Sequence, residues 1–281
     1  MLSKVKIVGA ASLLALSIGA QANVIDLYTT AQIVSTSGQA VNSVVSSQVG
    51  GAGDTSIIGG FRDLIIKETV DGTGGGTSIA TMESFNGSLT FASAPTVTAV
   101  GNLQWDGDDS GSIETLDKTG MGAENLVIQT GCPTGGCDRF IFDVLSSDFD
   151  FDFTIGIYTD DDNWTEFDLE ATQGAHVSEI FFSFFENSAT CGAINISPGV
   201  LAQRCGGVGG NQVADTTSVG AIQLVFNIGA LGTTDLDFKI GAVTKTGVPE
   251  PSMVALLGLG LASSGLVSIR RRRKEKALLA A

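Results

Sequence analysis

The sequence predicts an all-β protein, a β-sandwich or jelly-roll-like domain of two packed sheets, and three observations carry that expectation. Between residues 23 and 247 almost no stretch sustains a 3.6-residue apolar period, whereas apolar and polar residues alternate with period two. Glycine is abundant and proline scarce, 37 against 5, and Gly and Asx residues punctuate the alternation as tight turns would. The segments so delimited amount to about a dozen short strands, the spacing of a two-layer all-β fold.

Taken in order, the expected strands begin with Ser56–Ile58 and Arg62–Val70, where Arg62 and Asp63 follow a Gly59-Gly60 turn and read as an ion pair at a sheet edge. Ser88–Ala92, Thr96–Gln104, Leu126–Gln129 and Phe140–Leu145 follow. Asp148–Ile155 gives the clearest alternation. Phe149, Phe151, Phe153 and Ile155 share one face and Asp148, Asp150 and Asp152 the other, so one side is core and the other solvent. That strand runs on to Tyr158, and Asp160-Asp161-Asp162-Asn163 turns it into Trp164–Leu169 as a hairpin. The apolar run within Glu179–Glu186 fits a strand buried on both faces, and Gly220–Asn227 and Leu236–Val243 complete the set. No linker rich in Pro or Ser divides residues 23–247, which predicts one domain.

The two ends differ from this body. Lys4 and Lys6, an apolar run from Ile7 to Ile18, and Ala20-Gln21-Ala22 form the three parts of a signal peptide over residues 1–22, with signal peptidase expected to leave Asn23 as the first mature residue. At the other end Val248-Pro249-Glu250-Pro251-Ser252 precedes an uncharged, mostly apolar run from Met253 to Ile269, which as a helix reaches about 25 Å, slightly short of a bilayer core. Arg270, Arg271, Arg272, Arg273 and Lys274 then act as a cytoplasmic stop, so the body is expected to face outward. A permanent anchor is the alternative to a processed one.

This order of motif, Leu/Gly-rich apolar segment and basic cluster over residues 248–281 resembles the PEP-CTERM sorting signal. The resemblance implies a membrane protease of the exosortase type as partner, and a Gram-negative bacterium that makes exopolysaccharide. It also implies transient anchoring through the apolar helix before release to the cell surface or extracellular matrix. More loosely, Ile57–Leu64, Leu103–Gly107, Leu116–Gly122 and Val219–Val225 resemble segments of exported PEP-CTERM β-proteins, which implies architecture alone.

Charge narrows the partners. Of the 15 Lys and Arg, two lie in the leader and six in the tail; of the 30 acids, Glu250 and Glu275 lie in the tail. The body over residues 23–249 therefore holds 7 basic and 28 acidic residues, a net −21, which repels phosphate backbones and argues against nucleic acid. Cys132, Cys137, Cys191 and Cys205 all lie in the exported part, where disulfides are the default; local pairing, 132 with 137 and 191 with 205, is the simplest of three connectivities. Zinc is disfavoured by the spacing and by a single histidine, His176.

One stretch has metal-ligand spacing. Asp106–Asp117 fits a twelve-residue calcium loop, with Asp106, Asp108, Ser110, Glu114 and Asp117 as oxygen ligands and Gly111 at the turn, although strands rather than helices flank it and Asp replaces the usual final Glu. Solvated turns explain the Asp160–Asn163 tip and the Asp148/150/152 face without any ligand. No G-x-S-x-G, phosphate-cradling loop or free-cysteine nucleophile stands out, so the chain is expected not to be an enzyme. The expected role is therefore structural or polysaccharide-associated, with Trp105, Tyr158 and Trp164 as candidate sugar-stacking rings. The alternatives are a secreted polysaccharide hydrolase, which needs a carboxylate pair across a groove, and a calcium-stabilised adhesin-like module.

Overall fold

Period-two alternation does fold as strands: fifteen are found among the residues that the computed structural model describes, 23–71, 79–108, 112–127, 138–228 and 234–246. They are β1 (Asn23–Asp26), β2 (Gln32–Ser35), β3 (Val44–Gly50), β4 (Phe61–Asp71), β5 (Ala80–Phe85), β6 (Ser88–Ser93), β7 (Val97–Trp105) and β8 (Arg139–Ser147). Then come β9 (Phe151–Tyr158), β10 (Trp164–Ala171), β11 (His176–Phe181), the helical turn α1 (Phe182–Phe185), β12 (Ile194–Ser197), β13 (Val200–Cys205), β14 (Ala221–Phe226) and β15 (Asp237–Thr246). The signal peptide, the sorting segment, Ser110, Cys132 and Cys137 lie outside the described residues.

All pairings between these strands are antiparallel. One sheet runs β11-β8-β15-β6-β5-β2, with β1 taking over the side of β15 beyond the stretch that β6 occupies. The other runs β12-β13-β10-β9-β14-β7-β4-β3. Their inner faces meet in one apolar cluster, a sandwich. Phe238 of the first sheet lies between Phe91 of its own sheet and Phe151 of the other, with stacked rings at 5.2 and 4.6 Å. Each such buried ring contributes about 1.5–3 kcal/mol from area alone. Gly101 leaves the room this needs, since a Cβ there would stand 3.0 Å from the Phe91 ring.

Several local expectations are corrected. The strand carrying the Phe alternation starts at Phe151, so Phe149 falls in the preceding turn and is exposed. The phenylalanine run is strand only to Phe181. Phe182–Phe185 coil into α1, which places Phe182 and Phe185 inside against Phe140 and turns Phe184 out. A continuous strand would have needed core on both faces, but in a two-sheet sandwich β11 has core on one face only. Ile58 opens a 3₁₀ turn, not a strand, and Gly59 within it has φ +67°. Leu126 and Val127 lie outside any strand.

Arg62 is not at an edge, and Asp63 is not the partner seen. On β4, between β3 and β7, its side chain points inward and is fully buried. There Nη1 donates to both Asp26 oxygens at 2.9 and 3.0 Å, Nε to Gln32 Oε1, and Nη2 to Thr30 O and Ser84 Oγ. Asp26 also accepts from Tyr28 N and from Trp105 Nε1, so three donor nitrogens make four contacts with its carboxylate. Burial pushes the Asp26 carboxyl above its ordinary value, against the pull of Arg62 and these N–H groups. Gln32 Nε2 crosses from the first sheet to Ser47 O of the second, and so ties the β2 and β3 edges together.

Candidate functional site

The outer face of the eight-stranded sheet carries polar side chains in register. Reading across the pairings, Gln48, Asp63, Gln104, Gln223, Gly156, Glu166 and Arg204 form one row over seven strands, in which Asp63 and Gln104 are buried and Gln223, Glu166 and Arg204 reach the surface. At the strand spacing of about 4.8 Å that row is about 29 Å long. A parallel row holds Asn102, Thr154 and Asp168, two residues further along their strands. Period two on an outward face predicts polar residues there, but not that amides, carboxylates and a guanidinium come side by side.

Hydrogen bonds fix the β9-β10-β13 part of this face. Arg204 donates from Nε to Glu166 Oε2 at 2.9 Å, and from its two terminal nitrogens to Asp168 at 2.7 and 2.9 Å. Thr154 Oγ1 donates to Asp168 Oδ1 at 2.7 Å. The Tyr158 hydroxyl donates to Glu166 Oε1 at 2.5 Å, with Gln223 Oε1 at 3.1 Å. Burial and then the Glu166 charge hold that phenol far above its usual range. Gly156 makes the arrangement possible: its missing side chain is where the Tyr158 ring lies, since a Cβ would come within 2.7 Å of it. Burial, and next the Asp168 charge, raise the Asp152 carboxyl.

Trp164 ends the face. Its ring stands 6.2 Å from that of Tyr158, and Lys118 Nζ sits 5.5 Å from the Tyr158 ring and 5.8 Å from the Trp164 ring. Of the three aromatic candidates, Trp105 is therefore a core residue bonded to Asp26, and Tyr158 is 3% exposed. Neither offers a stacking surface. Trp164 is half-buried beneath a cation.

The calcium-loop residues are distributed as follows. Asp106 is buried, and its Oδ2 accepts from Asp117 N at 2.9 Å, which closes the run across eleven residues. Asp117 Oδ1 accepts from the Thr119 N–H and hydroxyl. Asp108 and Glu114 point to solvent. Gly120 packs against the start of the loop so closely that a Cβ would lie 1.7 Å from Asp106 O. Among the described residues no three His, Cys, Asp or Glu side chains gather as a metal site. At the β9–β10 turn, Asp160 accepts from the side chain and backbone of Asn163 and from Asp162 N, and these bonds lower its pKa.

Cys191 and Cys205 are disulfide-bonded, as local pairing predicts. The bond ties the start of the β12–β13 hairpin to its end, beside the polar row. The buried Asp26–Arg62 pair is the feature that sequence reasoning missed. Its one signal was an arginine close to the apolar run Leu64–Ile66.

Residues 247–273 match the family model of the PEP-CTERM protein-sorting motif. The motif implies processing by exosortase, a membrane protein, and with it export to the cell surface or extracellular space. No curated protein and no solved structure matches the chain. Among the described residues no helix is long and apolar enough to cross a membrane; the Met253–Ile269 run lies outside them.

Proposed function

We propose that this is a non-enzymatic matrix protein of a Gram-negative cell, held briefly by its C-terminal helix, cut by exosortase, and bound to exopolysaccharide through the outer face of its eight-stranded sheet. The observation that supports the reading is the accessible end of the polar row, where Gln223, Glu166, Asp168 and Arg204 lie side by side. Sugars are recognised by planar amide, carboxylate and guanidinium groups that offer donors and acceptors together, as these four do. A net −21 body selects for neutral or cationic chains over acidic ones.

Preorganisation supports binding. Glu166 and Asp168 are already held by Arg204, Tyr158 and Thr154, so little side-chain entropy remains to be lost when a ligand arrives. The test uses the mature protein recovered from the medium, co-sedimented with the host's own matrix polysaccharide. The protein is expected to enter the pellet, and Arg204→Ala is expected to weaken association about tenfold, since it removes a partner of two carboxylates at once. No association, together with an unaltered matrix on deletion of the gene, would overturn the reading.

A hydrolase reading has one observation in its favour. The Asp152 carboxyl is raised beside Asp168, and carboxylates in contrasting environments are what glycoside hydrolysis uses. It requires the mature protein to release reducing ends from the polysaccharide and Asp152→Asn to stop that release.

A further inference from the structure

Lysine seldom occupies an inward position on a strand, and Lys245 of β15 does. It stands opposite Phe140 of β8 and follows Val243 by two places, and both of those side chains are core. Lys245 is itself buried. Its Nζ donates to Asn125 O at 2.8 Å, and among the described residues no carboxylate lies within ion-pair distance of it. The segment that supplies this carbonyl is held firmly: Glu124 exchanges two backbone hydrogen bonds with Val219, and Leu126 N donates to Thr216 O.

Lys245 lines a pocket of about 390 Å³, inside the usual range for small-ligand sites of about 300–1,000 Å³. Ile57, Ile58 and Met121 give it apolar lining, and Asp54, Thr55 and Glu124 polar lining. The two segments that supply these residues pack together, since a Cβ on Gly59 would come 2.7 Å from Met121 Cγ. Burial lowers the pKa of the Lys245 amine from its ordinary value, against the opposing pull of Glu124 and Asp138. A desolvated lysine that keeps its lone pair is a nucleophile toward carbonyl carbon. Asp54, Glu124 and Asp138 put negative charge around it, which disfavours anionic carbonyl compounds and leaves uncharged ones.

We propose that this pocket takes a small uncharged aldehyde and that Lys245 holds it covalently as an imine. Nζ attacks the carbonyl carbon, a C–N bond forms, and one N–H proton passes to the oxygen. The carbinolamine then loses its hydroxyl as water while the nitrogen lone pair closes the C=N bond. Glu124, in the same pocket, relays a proton to the departing hydroxyl and receives the second N–H proton. Amine and aldehyde thus give imine and water, with no oxidant or reductant. The pocket shares no residue with the polar face, so the test leaves that reading untouched.

Propanal and cyanoborohydride are added to the mature protein, and the reductant turns each imine into a stable propylamine that peptide mass spectrometry locates. Lys245 is expected to be labelled about tenfold ahead of Lys67, Lys118 and Lys239, the other lysines of residues 23–249. The α-amine of the mature N-terminus is mapped separately. Glyoxylate, an anionic aldehyde, should show no such preference for Lys245. Thr55→Trp and Glu124→Gln each change an exposed pocket residue, and should slow labelling of Lys245 while the other three lysines and the melting midpoint stay as they were. Equal labelling of the four lysines, or Lys245 last, overturns the proposal, because burial then shields the amine without activating it. So does a preference that glyoxylate shares, or one that persists in both variants with the midpoint unchanged.

Discussion

Removing the charge from Asp26 tests the buried pair that anchors the first strand to the core. In Asp26→Asn the shape is kept, but Arg62, with no exposed surface, faces an amide where it had a bidentate carboxylate. An uncompensated charge at such a site costs about 3–5 kcal/mol. For a body of roughly 220 residues the unfolding entropy near the midpoint is about 0.46 kcal/mol/K, so the midpoint should fall by about 7–11 °C. Calorimetry on the mature protein reads this directly. Arg62→Met with Asp26→Asn should recover part of the loss, because an apolar side chain needs no counter-charge, and the cycle of single and double variants should show clear non-additivity. A fall under about 2 °C for Asp26→Asn, or simple additivity, would mean that water or another group neutralises Arg62 and that the pair is not a keystone.

Further outcomes follow from the same structure. Replacing Cys191 and Cys205 by serine opens a loop with a sequence separation of 14, and should lower stability by about 3 kcal/mol, a drop of about 6 °C by calorimetry. The raised carboxyls Asp152 and Asp237 take up protons more readily in the folded than in the unfolded chain. Their contribution therefore grows as pH falls toward the ordinary value of 3.8 and is lost as pH rises through the folded value, so the midpoint should be higher near pH 5 than near pH 8. Asp152→Asn should flatten that dependence, and an unchanged slope would remove Asp152 from the account. Calcium is expected to leave the midpoint where it is, because oxygens of Asp106 and Asp117 already close their loop through hydrogen bonds; a rise on adding calcium, reversed by chelator, would restore the calcium loop.

Charge and hydropathy placed linearly along the chain were enough to read the exported destination, because a sorting signal is a contiguous stretch of sequence and needs no partner from elsewhere in the chain. Val248–Ser252, the apolar run and Arg270–Arg273 carry it in order, and residues 247–273 match the sorting motif. Alternation was likewise enough for the all-β class and for β4, β6, β7, β8, β10, β14 and β15 to within a few residues, since a strand's two faces see different solvents. The short edge strands β2, β3 and β12 escaped because a strand with a partner on one side needs little apolar pattern of its own. Which strands are neighbours could not be read from the sequence at all. Pairings such as Asp63 with Gln104 and Gln104 with Gln223 join residues far apart in the chain, so only tertiary structure lines up the polar row, brings Lys245 and Glu124 to one pocket, and gives Arg62 its counter-charge in Asp26 instead of in its neighbour Asp63. Adjacent residues on a strand point to opposite faces, so Arg62 and Asp63 were directed apart from the moment β4 formed.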